Sequence, residues 1–439
     1  MTGDIFSASI ESLALGGDGL GSYQGKRVFI PFTAPGDTVS ARITEEHESW
    51  ARAELTGILE ASPDRVSPQC PHYGKCGGCS LQHLSYSAQL RIKKQLLAEA
   101  LIRPGEAPHK KAAPPDFTAP GVPAIEVIPS KSGDTPADTP ATDTITDTTP
   151  GPWQYRNRVS LHAIRANRGP RSGFKVNRSE KIIPLEDCPA ADPAIRSVLP
   201  KLRPPPGKDR FTLYGRNGIV LAEEGSSGPD PLPSRGTTVL LNRNIQLEAS
   251  VFFQSNAAGL ESLIPRLRCI AERAAAMAGK TQTAGKPPPA GKMPPGPLMA
   301  DMYAGVGTFS LFLADFFPGG VDLLEENQKA ISLAKINLEG KNTRFRFFPQ
   351  RDEVWAKRGL SSYAFAVADP PRQGLSPSLV RELCRRGPPV LAYVSCEVSS
   401  FVRDYRLLTE SYKLEELILF DFYPHTAHSE CMGTFIRKC

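Results

Sequence analysis

From residue 298 to the end of this 439-residue chain, short apolar runs alternate with stretches of helical spacing. LMADMY (298–303), VDLLEE (321–326), AFAVAD (364–369), PVLAYVSC (389–396), EELILFDF (415–422) and GTFIRK (433–438) read as strands. FSLFLADF (309–316) starts one helix, and a second runs to Leu338. Parallel strands need crossovers, usually helical, so this order predicts an α/β class: a doubly wound sheet ending in an antiparallel hairpin. Ligands of such sheets bind beyond the carboxyl ends of the strands, so strand ends are where chemistry is expected.

Four motifs stand at or near such ends. DMYAGVG (301–307) lies between a strand and a helix, and Gly305 and Gly307 let the backbone turn tightly and approach a ligand. Glu325 closes the second strand, where an acid can accept hydrogen bonds from ribose hydroxyls. A dinucleotide site is the rival, but the third glycine of G-x-G-x-x-G is replaced by Ser310. DPPRQG (369–374) places Asp369 and Arg372 toward the reaction site, and Arg372 stands where amino-group methyltransferases carry an aromatic residue. YVSC ends on Cys396; a lone cysteine after an apolar run is usually a buried small hydrophobe, but a strand end beside a ligand pocket suits a nucleophile. FYPHTAHSE (422–430) concentrates two histidines and Glu430, in a spacing that is not a standard zinc pattern.

The remainder is organised differently. Residues 5–60 read as short strands with turns at Gly16-Gly17-Asp18-Gly19 and Pro35-Gly36-Asp37, and Val39, Ala41 and Ile43 alternate with Ser40 and Arg42. A small β-barrel of the OB type follows. Residues 86–102 form an amphipathic helix with Leu90, Leu97 and Leu101 on one face. Residues 103–149 are rich in Pro, Thr, Ala and Asp and are expected to be a disordered insertion; 225–236 and 279–297 are similar. Three of the nine cysteines crowd together as Cys70, Cys76 and Cys79, and Cys188 can complete a four-thiolate set that suits zinc or an iron–sulfur cluster equally. Net charge is only +6, yet 156–181 carries Arg156, Arg158, Arg165, Arg168, Arg171, Lys175, Arg178 and Lys181 against Glu180 alone, the footprint of a polyphosphate partner. No run of about 18 apolar residues occurs and the first residues lack a secretory pattern, so no membrane role and a cytoplasmic location are expected. Nothing marks an obligate protein partner, and a monomer is expected.

Taken together, ALGGDGLG (14–21), CPHYGKCGGC (70–79), WQYRNR (153–158), FFQSN (252–256) and the four motifs above resemble the RNA uridine-5 methyltransferase family, in its subgroup with an N-terminal TRAM domain and an iron–sulfur cluster. The resemblance implies a Rossmann-like class I methyltransferase sheet, the N-terminal OB/TRAM barrel and a central iron–sulfur α+β domain. It implies boundaries at 1–62 for the barrel, 63–84 with 150–247 for the central RNA-binding domain, and 85–102 with 248–439 for the methyltransferase domain. Cys396 then matches the nucleophile and Glu430 the base. Gln254, Tyr303, Glu325 and Asp369, with Gly305, Gly307 and Thr308, match S-adenosylmethionine contacts. Cys70, Cys76, Cys79 and Cys188 match the ligands of a 4Fe–4S cluster. Arg156, Arg158, Arg165 and Arg168 are the expected RNA contacts. Glu397-Val398 stands where the family has Asn or Asp followed by Pro, Thr308 where some members have Asn, and Leu323-Leu324 where glycine and valine are common.

The chemistry explains the residue types. Carbon 5 of uracil is a poor nucleophile until a thiolate adds to carbon 6; a base must later remove the carbon-5 proton. The target must leave its stack, so a looped or flipped uridine in structured RNA is the expected substrate, with 23S rRNA favoured over tRNA. Radical methylthiotransferases share a cluster and a TRAM domain but use C-x3-C-x2-C, whereas this chain has C-x5-C-x2-C; cytosine-5 enzymes place Pro-Cys where this chain has Asp369-Pro370-Pro371. A non-catalytic RNA-binding factor would not need both Cys396 and Glu430. Anaerobically purified protein is expected to be brown with about four irons per chain; stoichiometric zinc without iron overturns the cluster assignment.

Overall fold

A computed structural model describes residues 2–102, 122–131, 151–165, 171–223, 231–282 and 296–438. Three units share one body. The first is a six-stranded sheet, β1 (Ile5–Ser9), β2 (Ser12–Leu13), β3 (Gly19–Tyr23), β4 (Lys26–Ile30), β5 (Thr38–Glu46) and β6 (Trp50–Glu60), in the order β1-β5-β6-β4-β3-β2. It curls until β1 also meets β3. Phe6, Val28, Ile30, Val39, Ala41 and Ile43 fill its interior, so the alternation in 39–43 points the way the sequence implies. The Pro35-Gly36-Asp37 turn is anchored from outside the barrel. The buried Asp37 carboxylate accepts from the backbone N–H of Ala34 at 2.6 Å and of Ser62 at 2.9 Å, and from Arg65 at 2.8 Å. Burial works to raise its pKa, but these bonds outweigh it and hold the carboxyl below its ordinary value.

Helix α1 (Tyr86–Ile102) connects this barrel to the rest. The sequence reading gave it one apolar face; it buries two. Ala88, Ile92 and Leu96 pack with Leu13 and Ala34 of the barrel, while Leu97, Ala98 and Leu101 pack against the large sheet. Between them Lys93 is also buried, donating to Asp421 at 2.6 Å and to the Tyr423 carbonyl at 3.0 Å.

Strand β7 (Ile125–Ile128) falls within the segment expected to be disordered. It pairs parallel with the edge of the large sheet, Leu417 opposite Ile125 through Phe420 opposite Ile128. Its order comes from that pairing and from no periodicity of its own, which is why composition misjudged it. The rest of the expected insertion, 103–121 and 132–149, lies outside the described residues, as do 224–230 and 283–295.

The central unit is antiparallel: β8 (Arg158–Ile164), β9 (Arg171–Lys175), β10 (Ile182–Pro184), β11 (Arg210–Arg216) and β12 (Ile219–Ala222), ordered β10-β9-β8-β11-β12. Val159, Leu161, Phe211 and Leu213 face α2 (Pro193–Val198), whose N-cap is the Asp192 carboxylate. A hairpin, β13 (Arg235–Leu240) and β14 (Arg243–Glu248), leads into the long helix α3 (Ala257–Gln282).

The third unit carries β15 (Leu298–Met302), β16 (Gly320–Leu324), β17 (Phe345–Phe348), β18 (Tyr363–Ala368), β19 (Val390–Ser395), β20 (Tyr412–Phe420) and β21 (Glu430–Arg437). With β7 at its edge the order is β17-β16-β15-β18-β19-β21-β20-β7, parallel except where β21 runs against both neighbours. This is the doubly wound sheet and terminal hairpin read from the pattern. Successive residues face opposite layers: Phe365 and Val367 pack on the side of α3, Ala366 and Ala368 on the other. The order reverses between β15 and β18, and the crevice beyond that switch point is the expected ligand site.

Losing one partner of the Lys93–Asp421 pair strands a buried charge. Lys93→Met is expected to cost about 3–5 kcal/mol in urea unfolding, and Lys93→Met with Asp421→Leu to regain most of it. Equal losses in the single and double variants would show that the pair adds nothing beyond packing.

Candidate active site

A cavity of about 1190 Å³ opens beyond the carboxyl ends of β15, β16, β17 and β18, and all three units line it. From the sheet come Tyr303, Gly305, Thr308, Glu325, Asp369 and Cys396; Gln254 comes from the segment before α3, and Gly77, Gly78 and Cys79 come from the cysteine loop. The sequence reading had these residues on separate segments, and the fold brings them to one space.

The DMYAGVG turn is built for close approach. Tyr303 holds a positive φ of 63°, rare for a residue with a side chain and costly unless its surroundings enforce it. Its hydroxyl donates to Asp352 at 2.6 Å, and the Ser376 N–H donates to the same carboxylate at 3.1 Å. Gly305 has a φ of 54° and open space where a Cβ would stand. Its N–H donates to Glu325 at 3.0 Å, and the Asn327 N–H donates to the other Glu325 oxygen at 2.8 Å. Gly307 caps α4 (Thr308–Leu313) with a φ of 81°. Around this turn, several buried polar atoms have no partner among the described residues: Gln254 Oε1, Asp301 Oδ1 and Gln350 Nε2. Buried polar atoms are normally satisfied, so orphans beside a cavity mark where a ligand completes the bonding. Gln350 was not foreseen. It follows β17, a four-residue strand too short to stand out, yet it holds the same strand-end position as the other candidates.

The second half of the cavity holds the reactive groups. In the β19–β21 register Ser395 faces Cys431, so continuing by one residue brings Cys396 opposite Glu430. Glu430 is 0% exposed and neither carboxyl oxygen has a partner among the described residues. Burial, then the charge of Asp369, pushes its pKa well above the carboxylate range. Asp369 accepts from Gln254 Nε2 at 3.1 Å, yet burial and the charge of Asp301 push it up to about 7. Asp301, bonded by the Ser310 hydroxyl at 2.6 Å, is likewise pushed up by burial to about 7. Burial, then Glu430 and Asp369, pushes the Cys396 thiol up to about 12, while Arg372 acts the other way. A standing thiolate is therefore disfavoured in the empty site.

The loop before Glu430 is held residue by residue. Asn256 donates to the Phe422 carbonyl at 3.0 Å and Tyr155 to the Pro424 carbonyl at 2.8 Å. Gln89 accepts from the His425 N–H at 2.8 Å, and the His425 carbonyl accepts from Ser80 and Leu81, both at 2.9 Å. His425 itself stacks on Trp153 at 4.1 Å, and burial pushes its pKa down to about 4, so its ring stays neutral. His428 lines the cavity. The two histidines thus have structural surroundings and do not converge as metal ligands.

The four cysteines expected to bind a cluster come from two segments. Cys76 bridges to Val176, and the Gly77 N–H donates to the Lys175 carbonyl at 3.0 Å, which stitches the cysteine loop to the turn after β9. The loop and Cys188 act on one another: Cys76 is raised by burial and then by Cys188 and Cys70, and Cys79 by burial and then by Cys188 and Cys76. None is in a disulfide. Among the described residues, however, no group of three or more His, Cys, Asp or Glu side chains could hold a metal ion, so the iron–sulfur character of the central unit has no counterpart in a formed metal site.

The four arginines separate. Arg156 is turned inward, beside Cys79, Cys188 and Tyr423, and lines the cavity with its Nε unpartnered among the described residues. Arg158 lies over the Phe252 ring at 5.5 Å, and Phe252 is an exposed aromatic at the cavity wall. Arg165 is 91% exposed, 3.6 Å from Asp209. Arg168 lies outside the described residues. The even stripe read along the sequence is thus not one surface. Arg156 sits in a bridge to Ala191 ahead of β8, Arg158 begins β8 and Arg165 follows it, so the three are held by different surroundings. No helix among the described residues is long and apolar enough to cross a membrane.

Comparison with known proteins gives the family. Residues 352–439 match the tRNA (Uracil-5-)-methyltransferase family and residues 1–56 match the TRAM domain. An uncharacterised RNA methyltransferase of Treponema denticola is 29% identical over 432 residues, covering 94% of each chain. A 23S rRNA (uracil(1939)-C(5))-methyltransferase of Shewanella amazonensis is 29% identical, covering 95% of this chain and 93% of that one. A tRNA (uracil(54)-C(5))-methyltransferase of Pyrococcus abyssi is 27% identical, covering 96% and 98%. The crystal structure of a Pyrococcus abyssi tRNA (uracil-54, C5)-methyltransferase with S-adenosyl-L-homocysteine shares this fold, with a TM-score of 0.63 and 23% identity over 98% of this chain and all of that one. The chain belongs to the TRAM-containing RNA uracil-5-methyltransferase family and is an S-adenosylmethionine-dependent enzyme.

Proposed function

We propose that this enzyme works in the cytoplasm on one uridine of a structured RNA, 23S rRNA before tRNA, through a covalent bond between Cys396 and carbon 6 of the base. The observation that carries this reading is the register that sets Cys396, at the wall of the cavity that also holds the glycine turn, opposite a fully buried Glu430 whose carboxyl oxygens have no partner among the described residues. S-adenosylmethionine, when bound, supplies an electrophilic methyl group. Gln254, Tyr303, Gly305, Gly307, Thr308, Glu325 and Asp369 are the residues that would hold it, and the orphaned atoms of Gln254 and Asp301 fit such a ligand.

The chain's own part in the reaction follows from the geometry. Cys396 gives its thiol proton to water in the cavity, Sγ bonds to carbon 6, and the electrons of the carbon 5–carbon 6 double bond move onto carbon 5 and the carbon-4 oxygen. Arg372 is the cation whose charge eases loss of the thiol proton. Once carbon 5 carries the methyl group, Glu430 takes its proton, the carbon 5–carbon 6 double bond re-forms and Sγ departs with its electrons. A carboxyl whose pKa is raised by burial is suited to that proton transfer. The buried site keeps water from competing for the same positions.

Cys70, Cys76, Cys79 and Cys188 are read as the ligands of a 4Fe–4S cluster. What supports this reading is that two separate segments bring Cys76, Cys79 and Cys188 beside one another, with Cys70 acting on Cys76 and Cys188. The cluster's place there is positional, since the Gly77–Ser80 backbone it would stiffen forms part of the cavity wall. Arg156, Arg158, Arg165 and Arg168 remain the proposed RNA contacts, Arg156 from inside the cavity and Arg158 beside Phe252 at its wall. The ribosomal preference rests on the four-cysteine set together with the barrel. The second reading, tRNA, is supported by the Pyrococcus abyssi relative.

Glu430→Gln keeps nucleophile and cofactor site but removes the proton acceptor. Incubated with unmodified rRNA or tRNA, it is expected to give a slow-migrating protein–RNA band on a denaturing gel, dependent on S-adenosylmethionine, with the RNA that is trapped naming the substrate. Cys396→Ala should give neither band nor methylated RNA. Full activity in Cys396→Ala would overturn the mechanism.

A further inference from the structure

Four acidic groups stand at the ends of neighbouring strands, Asp369 and Cys396 at the cavity wall and Asp301 and Glu430 buried behind it, and the mechanism above draws its nucleophile and base from Cys396 and Glu430. Asp301 closes β15, Asp369 follows β18, Glu430 opens β21 and Cys396 follows β19. Each feels the next: Asp301 acts on Asp369, Asp369 on Glu430, and both Asp369 and Glu430 on Cys396. Among the described residues, the nearby groups that offset this negative charge are few. Gln254 gives Asp369 one hydrogen bond, Ser310 bonds Asp301, Arg372 acts on Cys396, and Glu325 adds a further negative charge next to Asp301. Tyr423, packed on the same side, is neutral and is itself raised by burial and by these acids. The set therefore lacks a positive charge at its middle, at Asp369.

We propose that Asp369 is the residue by which this enzyme tells its methyl donor from the spent product, by sensing the sulfonium charge that S-adenosylmethionine carries and S-adenosylhomocysteine lacks. The proposal rests on the functional reading above. Transfer to a base held on Cys396 requires the sulfonium to lie between the glycine turn and Cys396. Asp369 lines the cavity and follows β18, the strand that lies between β15, which leads into the glycine turn, and β19, which leads into Cys396. The two ligands share every other charged group, so any difference in their response to this carboxyl isolates the sulfonium.

The sign is fixed by which form of the carboxyl the cation prefers. In the empty site Asp369 is pushed up to about 7, so it is neutral below that pH and an anion above it. A sulfonium stabilises the anion, so binding the donor releases a proton and its affinity rises with pH, approaching tenfold per unit below 7 and levelling above. The neutral thioether of the product gains nothing from the anion, and its affinity stays nearly flat. Loss of the cation on methyl transfer also returns basicity to Asp369 and Glu430 when the carbon-5 proton must leave.

Titration calorimetry with the full chain tests this at pH 5.5 to 8.5, using S-adenosylmethionine, S-adenosylhomocysteine and a donor analogue with an ammonium group in place of the sulfonium. Donor and ammonium analogue are expected to gain roughly tenfold or more in affinity between pH 6 and 8, with proton release seen as buffer-dependent heat, while the product changes by less than about twofold. Asp369→Asn should flatten the donor profile while product binding persists, which also shows that the variant is folded. Should that variant fail to fold, the ligand comparison on the unaltered protein decides alone. Parallel pH profiles for donor and product would overturn the proposal and leave the functional reading intact. Binding of neither ligand at any pH would instead overturn the functional reading.

Discussion

The buried ion pair between Lys93 and Asp421 is the joint on which the active site hangs. Both side chains are shut off from water, and such a pair holds only when its remaining bonding capacity is filled. Here it is: Tyr86 donates to the second Asp421 oxygen at 2.9 Å, and Lys93 also donates to the Tyr423 carbonyl. The helix that supplies Lys93 and Tyr86 rests on the barrel at one end and on the large sheet at the other. The pair thereby locks the strand end at Phe420 to the body of the protein. From there the chain runs through a loop whose carbonyls and amides are taken up by Asn256, Tyr155, Gln89, Ser80 and Leu81. These come from four different segments, and Glu430 is the next strand's first residue.

That rigidity answers an electrostatic cost. Asp301, Asp369, Glu430 and Cys396 are buried close enough to disfavour one another's charged forms. A flexible site would relax by letting water reach the carboxyls. Here the double layer of apolar side chains under the sheet and the bonded loop above it close off Asp301 and Glu430, while Asp369 and Cys396 face the cavity, so the groups sit at raised pKa values and the Glu430 oxygens have no partner among the described residues. Strain of this kind persists only where surrounding structure over-determines it. The positive φ of Tyr303, secured by its bond to Asp352, is the backbone counterpart on the opposite wall.

Much of the architecture could be read along the chain. Strands that bury both faces are long apolar runs, and the period-two pattern of the barrel is local. The strand-end positions of Asp301, Asp369 and Cys396 followed from those runs directly. Features with no local pattern were misread. Strand β7 is ordered by the Phe420 edge it pairs with. Helix α3 was passed over although Leu260, Leu263, Ile264, Leu267, Ile270, Ala271 and Ala274 recur at helical spacing; Pro265 inside it and the Pro-rich stretch after it masked the signal. Nothing local marks Lys93 as buried, because its partner is more than three hundred residues away.

What the sequence alone determined is the set of chemical groups and the places along the chain that carry them: glycines where the backbone must turn, a cysteine at a strand end, a carboxylate ahead of the last strand, four thiols on two segments, and an excess of arginine. Their residue types and order also carried the family likeness. Tertiary structure decided which of these meet. Glu430 faces Cys396 because β21 runs antiparallel beside β19 in one register, and a slip of one residue would turn it to the other layer. The arginines that look equivalent in sequence divide into one half-buried beside cysteines at the cavity wall, one over an aromatic ring and one in solvent. The physical reason is range. Hydrogen bonding within a strand or turn acts over a few residues and leaves its mark in local pattern, whereas burial and charge coupling depend on distances through space that only the packed chain defines.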